Sequence, residues 1–259
     1  MGPSYAAHGV GDPPGPGRPT GDLERAVAAA RRGGGVLLEG VHALKHAVRF
    51  GADVDLIATP DRRRLQELFA QLAPDVVLPV DVSEVDGDVW RRLAPRELPS
   101  PALSVAARPP DRLDEVLAAR EGRVVVLEHP RHLGNLGAAI RVAAAAGAAA
   151  VVAVGDADPW HPTAVRAAAG LGYALAVGRR DVLPATPRPL VAVDPEGADL
   201  GAAALPDDAV LCFGTERAGL SRELRDRATR RVAIPMRAGV SSLNLATAVG
   251  IVLYASPRA

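Results

Sequence analysis

Residues 232–254 read VAIPMRAGVSSLNLATAVGIVLY, Val232 to Tyr254. An apolar run closing on Ile234-Pro235 predicts a strand that ends there, because proline cannot donate to a sheet ladder. A polar stretch follows, and then a helix over Leu243–Ala255 that is apolar almost all round. Such a helix is buried in a core or in a subunit interface. Yet its start gathers Ser241, Ser242 and Asn244. Ser241 or Ser242 suits the helix cap. Asn244 beyond a cap has no evident structural reason, and polar groups at a buried helix start make a plausible ligand floor.

Two earlier segments have the same build. Residues 211–221, LCFGTERAGLS, are a strand end followed by Gly214, Glu216 and Gly219. The glycines permit close ligand approach. Glu216 is either a surface carboxylate or a partner for an arginine or a substrate. Residues 127–141, LEHPRHLGNLGAAIR, lead from a strand into a helix in which Asn135 stands between Gly134 and Gly137. Asn135 serves as an N-cap or as a site residue. Arg141 lies in a helix of alanines and aliphatics, so it is expected to be buried. A buried arginine requires a partner, either a carboxylate or a substrate phosphate.

Around these segments short apolar runs alternate with helical stretches. Strands are expected at Val124–Leu127, Ala149–Val154, Leu190–Val193, Val210–Phe213 and Arg231–Ile234. Helices are expected at Leu136–Ala146, Thr163–Gly170 and Arg222–Arg230. Short continuous apolar strands are the mark of a parallel sheet covered on both faces, whose ligands bind beyond the carboxyl ends of the strands. The preceding stretch, Gly35–Ala107, alternates too. Its expected strands are Val36–Leu38, Val54–Ala58, Val76–Val80 and Ala102–Ala106, with helices over Val41–Phe50, from Asp61 to Leu72, and over Glu84–Leu93. That pattern is a small α/β sandwich. Prolines at 99, 101, 109 and 110 mark a linker near Arg108–Asp111. Residues 1–22 are a Gly/Pro-rich tail expected to be disordered. The division is thus a tail (1–22), a first α/β domain (23–108) and a second (109–259).

Composition narrows the function. A length of 259 residues suits two modest domains, and formal net charge is zero, so a nucleic-acid surface must be a local patch. With three Phe, two Trp and three Tyr, gripping single strands chiefly by base stacking is disfavoured. Cys212 is the single cysteine, which excludes an internal disulfide and suits the cytoplasm. No apolar run reaches membrane-spanning length. His129 and His132 lack a third ligand nearby, so no metal is expected. His161, between two prolines, reads as structural, and Arg62-Arg63-Arg64 as a solvated helix start. Arg217, Arg222 and Arg237 flank the three segments and are phosphate candidates. The missing G-x-G-x-x-G fingerprint argues against a nucleotide-dependent oxidoreductase.

Taken in order, the three segments resemble the three motifs of the SpoU/TrmH-type RNA ribose 2′-O-methyltransferases of the SPOUT class. Asn135, Gly137 and Arg141 match the first motif. Gly214, Glu216 and Gly219 match the second. Ile234, Pro235, Met236, Ser242, Leu243 and Asn244 match the third, and the resemblance spans Val124 to Tyr254. It implies S-adenosylmethionine as cofactor and an RNA (rRNA or tRNA) as the methyl acceptor. It further implies a parallel α/β domain tied in a trefoil knot, homodimerisation through that domain, and a cytoplasmic enzyme. The first domain resembles, more loosely, a ribosomal-protein-like RNA-binding domain, with Leu38-Glu39-Gly40 before a helix as its start. By resemblance Asn135, Arg141, Glu216, Ser242 and Asn244 are the catalytic set. Gly214, Thr215, Gly219, Ile234, Met236 and Leu243 cradle the cofactor. Two departures stand out: Glu128-His129-Pro130-Arg131-His132 where the family often has Asp-Pro, and three alanines before Gly170 where it often has Ser. The competing readings are a non-catalytic RNA-binding protein that keeps the fold, and a base methylator using the same cofactor.

Overall fold

The computed structural model describes residues 18–202, 204–214 and 219–255. Two sheets organise them. The first has the order β1 (Val36–Glu39), β4 (Leu103–Ala106), β2 (Val54–Thr59) and β3 (Val82–Glu84); β4 runs antiparallel to both β1 and β2, while β2 and β3 are parallel. α1 (Thr20–Arg31) and α4 (Gly87–Leu93) cover one face, burying Leu23, Val27, Val89 and Leu93 against Leu37, Leu56 and Leu103. α2 (Val41–Arg49) and α3 (Arg62–Leu72) supply Leu44, Ala47, Leu65 and Phe69 to the other. Asp61 caps α3 by accepting from Arg64 N–H at 2.8 Å.

The second sheet is all parallel, in the order β10 (Arg230–Ala233), β8 (Leu190–Asp199), β9 (Val210–Phe213), β5 (Val124–Glu128), β6 (Ala150–Val154) and β7 (Ala176–Arg180). Side chains alternate across a strand. Val125, Leu127, Val151, Ala153, Leu211 and Phe213 therefore face α6 (Leu133–Ala145), α7 (Pro162–Ala168) and α9 (Leu245–Ala255). Val124, Val126, Val152, Val210 and Cys212 face α5 (Leu113–Ala119) and α8 (Arg222–Arg227). Double burial is why these strands read as unbroken apolar runs. It also pushes the Cys212 thiol up to about 12, since burial penalises the thiolate.

The core of α6, α7 and α9 is continuous with that of α2 and α3. Polar ties cross the same boundary. Buried Glu39 accepts from Arg166 of α7 at 2.9 Å and also pairs with Arg96. His46 Nδ1 lies 2.9 Å from the Ala169 carbonyl, and the Tyr173 hydroxyl donates to the Ala107 carbonyl at 2.8 Å. At Gly170 (φ +75°) the backbone passes so close to the Ala43 carbonyl that any side chain would collide with it.

Several elements differ from the expectation. Val76–Val80 forms no strand; the partner of β2 is Val82–Glu84, where Val82 and Ser83 pair with Ile57 and Ala58. Pro79 within the apolar run removes a ladder donor, which explains the displacement. α1, α5 and β7 had not been foreseen: α1 is alanine-rich and polar on average, and β7 (AVGRR) is short and half charged. The Gly/Pro-rich tail falls mostly on residues 1–17, outside the described part. Residues 18–22 depart from it: Arg18 pairs with Asp55 at 2.7 Å, and Thr20 opens α1.

Candidate active site

The carboxyl ends of β8, β9 and β10 and the start of α9 enclose a cleft of about 390 Å³. Phe213 at the end of β9, Ile234 and Met236 after β10, and Leu243, Leu245 and Ala248 around the start of α9 make its apolar lining. Gly214, Gly219, Ser241 and Ser242 complete the wall drawn from the second and third segments. Gly214 has a local cause: a Cβ there would collide with the backbone of Gly219 and Leu220, so the loop closes on itself only through glycine. Gly219 itself sits at φ +65°. Behind the loop, buried Glu128 at the end of β5 accepts from the Ser221 N–H at 2.7 Å. That bond ties the first segment's strand to the far end of the second segment's loop.

Of the residues expected to form the site, Gly214, Gly219, Ile234, Met236, Ser242 and Leu243 line this one cleft. Thr215, Glu216 and Arg217 lie outside the described residues. Asn135 and Asn244 stand beside the cleft and meet each other: Asn244 Nδ2 donates to Asn135 Oδ1 at 3.1 Å. This contact joins the first and third segments across 109 residues of chain.

Three expectations are corrected here. Asn135 is no N-cap; it sits inside the first turn of α6, whose cap position is His132 without a capping side chain. Its amide oxygen accepts from Asn244 and does not cap the helix. The cap of α9 is neither Ser241 nor Ser242. Asn244 Oδ1 accepts from Ala246 N–H at 3.0 Å and Thr247 N–H at 3.4 Å, so its acceptor end caps while its donor end holds Asn135. Arg141 is exposed, not buried. α6 packs on α7 and α9, and Arg141 falls on the stripe with Gly134 and Ala145 that faces away from both. Among the described residues it forms no ion pair. Its charge is felt by His42 of α2, whose pKa is lowered by burial first and then by Lys45 and Arg141.

The composition of the cleft also includes residues that the sequence reading missed: Val193, Asp194, Pro195 and Glu196 from β8, and Arg225 from α8. The signal existed, since Asp194 directly follows the apolar run Leu190–Val193, at the point where β8 leaves its pairing with β9. His161, by contrast, is structural as expected: its Nδ1 accepts from Thr163 N–H at 3.1 Å and caps α7. Arg222 is exposed and pairs within its own helix with Asp226, and Arg237 is exposed.

A cleft with an apolar floor for a flat base and a rim of hydroxyls and carboxylates fits a nucleoside-type ligand of this size. Comparisons with known proteins bear on which one. The SpoU rRNA Methylase family model matches residues 122–254. The chain is 30% identical over 88% of its length to a 23S rRNA (uridine(2479)-2′-O)-methyltransferase of Streptomyces viridochromogenes, 84% of which is covered. It is 31% identical over 86% of its length to a 23S rRNA (guanosine-2′-O-)-methyltransferase of Ralstonia nicotianae, 95% of which is covered. The crystal structure of the SpoU methyltransferase AviRb from Streptomyces viridochromogenes in complex with AdoMet superposes with a TM-score of 0.73 at 26% identity, covering 91% of this chain and 95% of that one. The chain belongs to the SpoU rRNA methylase family and is an S-adenosylmethionine-dependent RNA ribose 2′-O-methyltransferase.

Proposed function

We propose that the acceptor is a ribose 2′-hydroxyl of 23S rRNA and that the cleft at the ends of β8, β9 and β10 holds the cofactor. The observation that carries this is the convergence of six motif residues, distant in sequence, on one cleft of nucleoside size. The relatives named for 23S rRNA support the acceptor. Gly214, Thr215, Gly219, Ile234, Met236 and Leu243 hold the cofactor, which supplies a methyl group on a sulfonium. The leaving group needs no protonation. What remains for the protein is to orient the hydroxyl and stabilise the oxygen as its proton passes to solvent water.

Arg141 does this by charge, because a guanidinium stays protonated. It clamps the phosphate beside the target ribose and favours the developing alkoxide. Asn135 and Asn244 hold one another and orient the ribose, and Ser242 and, by the family motif, Glu216 belong to the same catalytic set. The first domain, 23–108, carries RNA on the side where α2 brings His42 and Lys45 near Arg141.

The enzyme is a homodimer of the cytoplasm. α9 is apolar yet leaves Thr247, Ile251 and Tyr254 exposed at helical spacing, next to the exposed stripe of α6. That pair of outward stripes is the interface, and Arg141 lies within it. The second domain, 109–259, is knotted. In support, β9 lies between β5 and β8 although it follows both in the chain, and α9 then packs on α6. Among the described residues no helix is long and apolar enough to cross a membrane.

The test is to methylate 23S, 16S and transfer RNA transcripts and to map the product by mass spectrometry. A 2′-O-methyl nucleotide in 23S rRNA is expected. Arg141→Ala is expected to lose on the order of 10²-fold in turnover while cofactor affinity holds. Full turnover by that variant defeats the catalytic assignment.

A further inference from the structure

Asp194 differs from the rest of the cleft lining. It is 6% exposed, yet hydrogen bonding satisfies only one of its oxygens. Oδ1 accepts from Glu196 N–H at 2.9 Å. Oδ2 faces Arg225 Nη1 at 3.8 Å, which is an ion-pair distance beyond hydrogen-bond reach. Among the described residues no donor meets Oδ2, and it is not sealed inside the protein. It opens on the cleft that Asp194 and Arg225 both line. A carboxylate oxygen that opens on the cleft and takes no hydrogen bond from the protein can accept one from a ligand there.

Position and charge decide which donor. Asp194 follows Val193, the last residue of β8 paired with β9, at the carboxyl edge of the sheet. The apolar wall of Phe213, Ile234, Leu243 and Leu245 suits an adenine. The group attached to that base is a ribose with two vicinal hydroxyl donors. The cofactor's cationic groups are poorer partners, because Arg225 beside the carboxylate repels a second cation. A neutral diol meets no such repulsion and gains a charge-assisted bond.

We propose that Asp194 accepts hydrogen bonds from the ribose diol of the S-adenosyl cofactor, and that Arg225 is a positioning residue that holds this carboxylate turned towards the cleft. The proposal rests on the reading that the cleft holds the cofactor. Binding calorimetry with the full chain tests it, using S-adenosylhomocysteine and its 2′,3′-dideoxy analogue. Wild-type protein is expected to bind the dideoxy analogue about tenfold or more weakly than the parent. Asp194→Ala binds both alike, at the weaker affinity. Equal affinities in the wild type overturn the proposal without recourse to any variant, and so does a variant that still discriminates as the wild type does.

Arg225→Gln is expected to bind the parent ligand severalfold more weakly than wild type, and Arg225→Lys, which keeps a cation beside the carboxylate, to recover most of that affinity. Wild-type affinity in the Gln variant, or equal losses in the Gln and Lys variants, removes Arg225 from the proposal. Ala248→Phe, which fills the cleft, separates the two levels. If it leaves binding intact, the cofactor lies elsewhere and both readings fall. If it abolishes binding while Asp194→Ala leaves discrimination unchanged, only the role of Asp194 falls.

Discussion

Asn244 does two jobs with two ends of one amide. Its oxygen caps α9 and its nitrogen holds Asn135. The two are separable by substitution. Asn244→Asp keeps a good capping oxygen but loses the donor, so thermal stability is expected to stay close to wild type while methyl transfer falls. Asn244→Ala loses both, and denaturant melts are expected to show a loss of about 1 kcal/mol, the usual worth of a side-chain cap. Equal activity in the Asp variant and wild type would show that the bond to Asn135 is structural decoration. The sequence made Asn244 conspicuous as a polar residue at the start of an apolar helix, but it did not reveal the division of roles. That depends on Asn135, 109 positions away, arriving within 3.1 Å. Arg141 was misjudged for a related reason. Its helix is apolar on average, but an average does not say which stripe faces out, and α7 and α9 take the other sides.

At the scale of elements, α6 owes its place to Gly137. A Cβ there would strike the carbonyl oxygen of Ala164 and come within 2.7 Å of Ala167 Cβ, so α6 and α7 touch backbone to backbone. Gly137→Ala is expected to push the helices apart and destabilise the fold by about 1–3 kcal/mol, as overpacking does. Chemical denaturation measures this directly, and an unchanged midpoint would mean that α7 slides aside freely. Since α6 carries Asn135 and α7 carries Arg166, which reaches Glu39 of β1, a shift here also disturbs the contact with the first sheet. Elements with continuous apolar strands were readable in advance, because burial on both faces leaves a compositional trace. β3 and β7 were not. Each lies at a sheet edge, where fewer apolar side chains are needed.

For the whole molecule the open question is assembly. The outward stripes of α6 and α9 place Ile251, 37% exposed, and Tyr254, 62% exposed, on one face of α9. Wild type is expected to sediment as a dimer, and Ile251→Asp, which puts a charge in that face, is expected to yield monomers by sedimentation velocity. A wild type that is itself monomeric at micromolar concentration sinks the dimer. Arg141 lies on the neighbouring stripe, so the monomeric variant is also expected to lose methyl transfer while still binding S-adenosylhomocysteine. The charge balance of the chain, with 30 basic and 30 acidic residues, is consistent with RNA contacts confined to local patches.

The letters alone carried the parallel α/β class, the two segments that line the cleft and the family, since each rests on local chemistry: apolar runs, glycines where side chains cannot fit, and motif residues in order. Only the folded chain decided that six of the motif residues share one cleft, that Asn135 and Asn244 join, that Arg141 faces outward, and that Asp194 and Arg225 belong to the same wall. These are relations between residues tens to a hundred positions apart. They are set by which helix packs on which face of the sheet, and no local pattern of hydrophobicity or spacing encodes that.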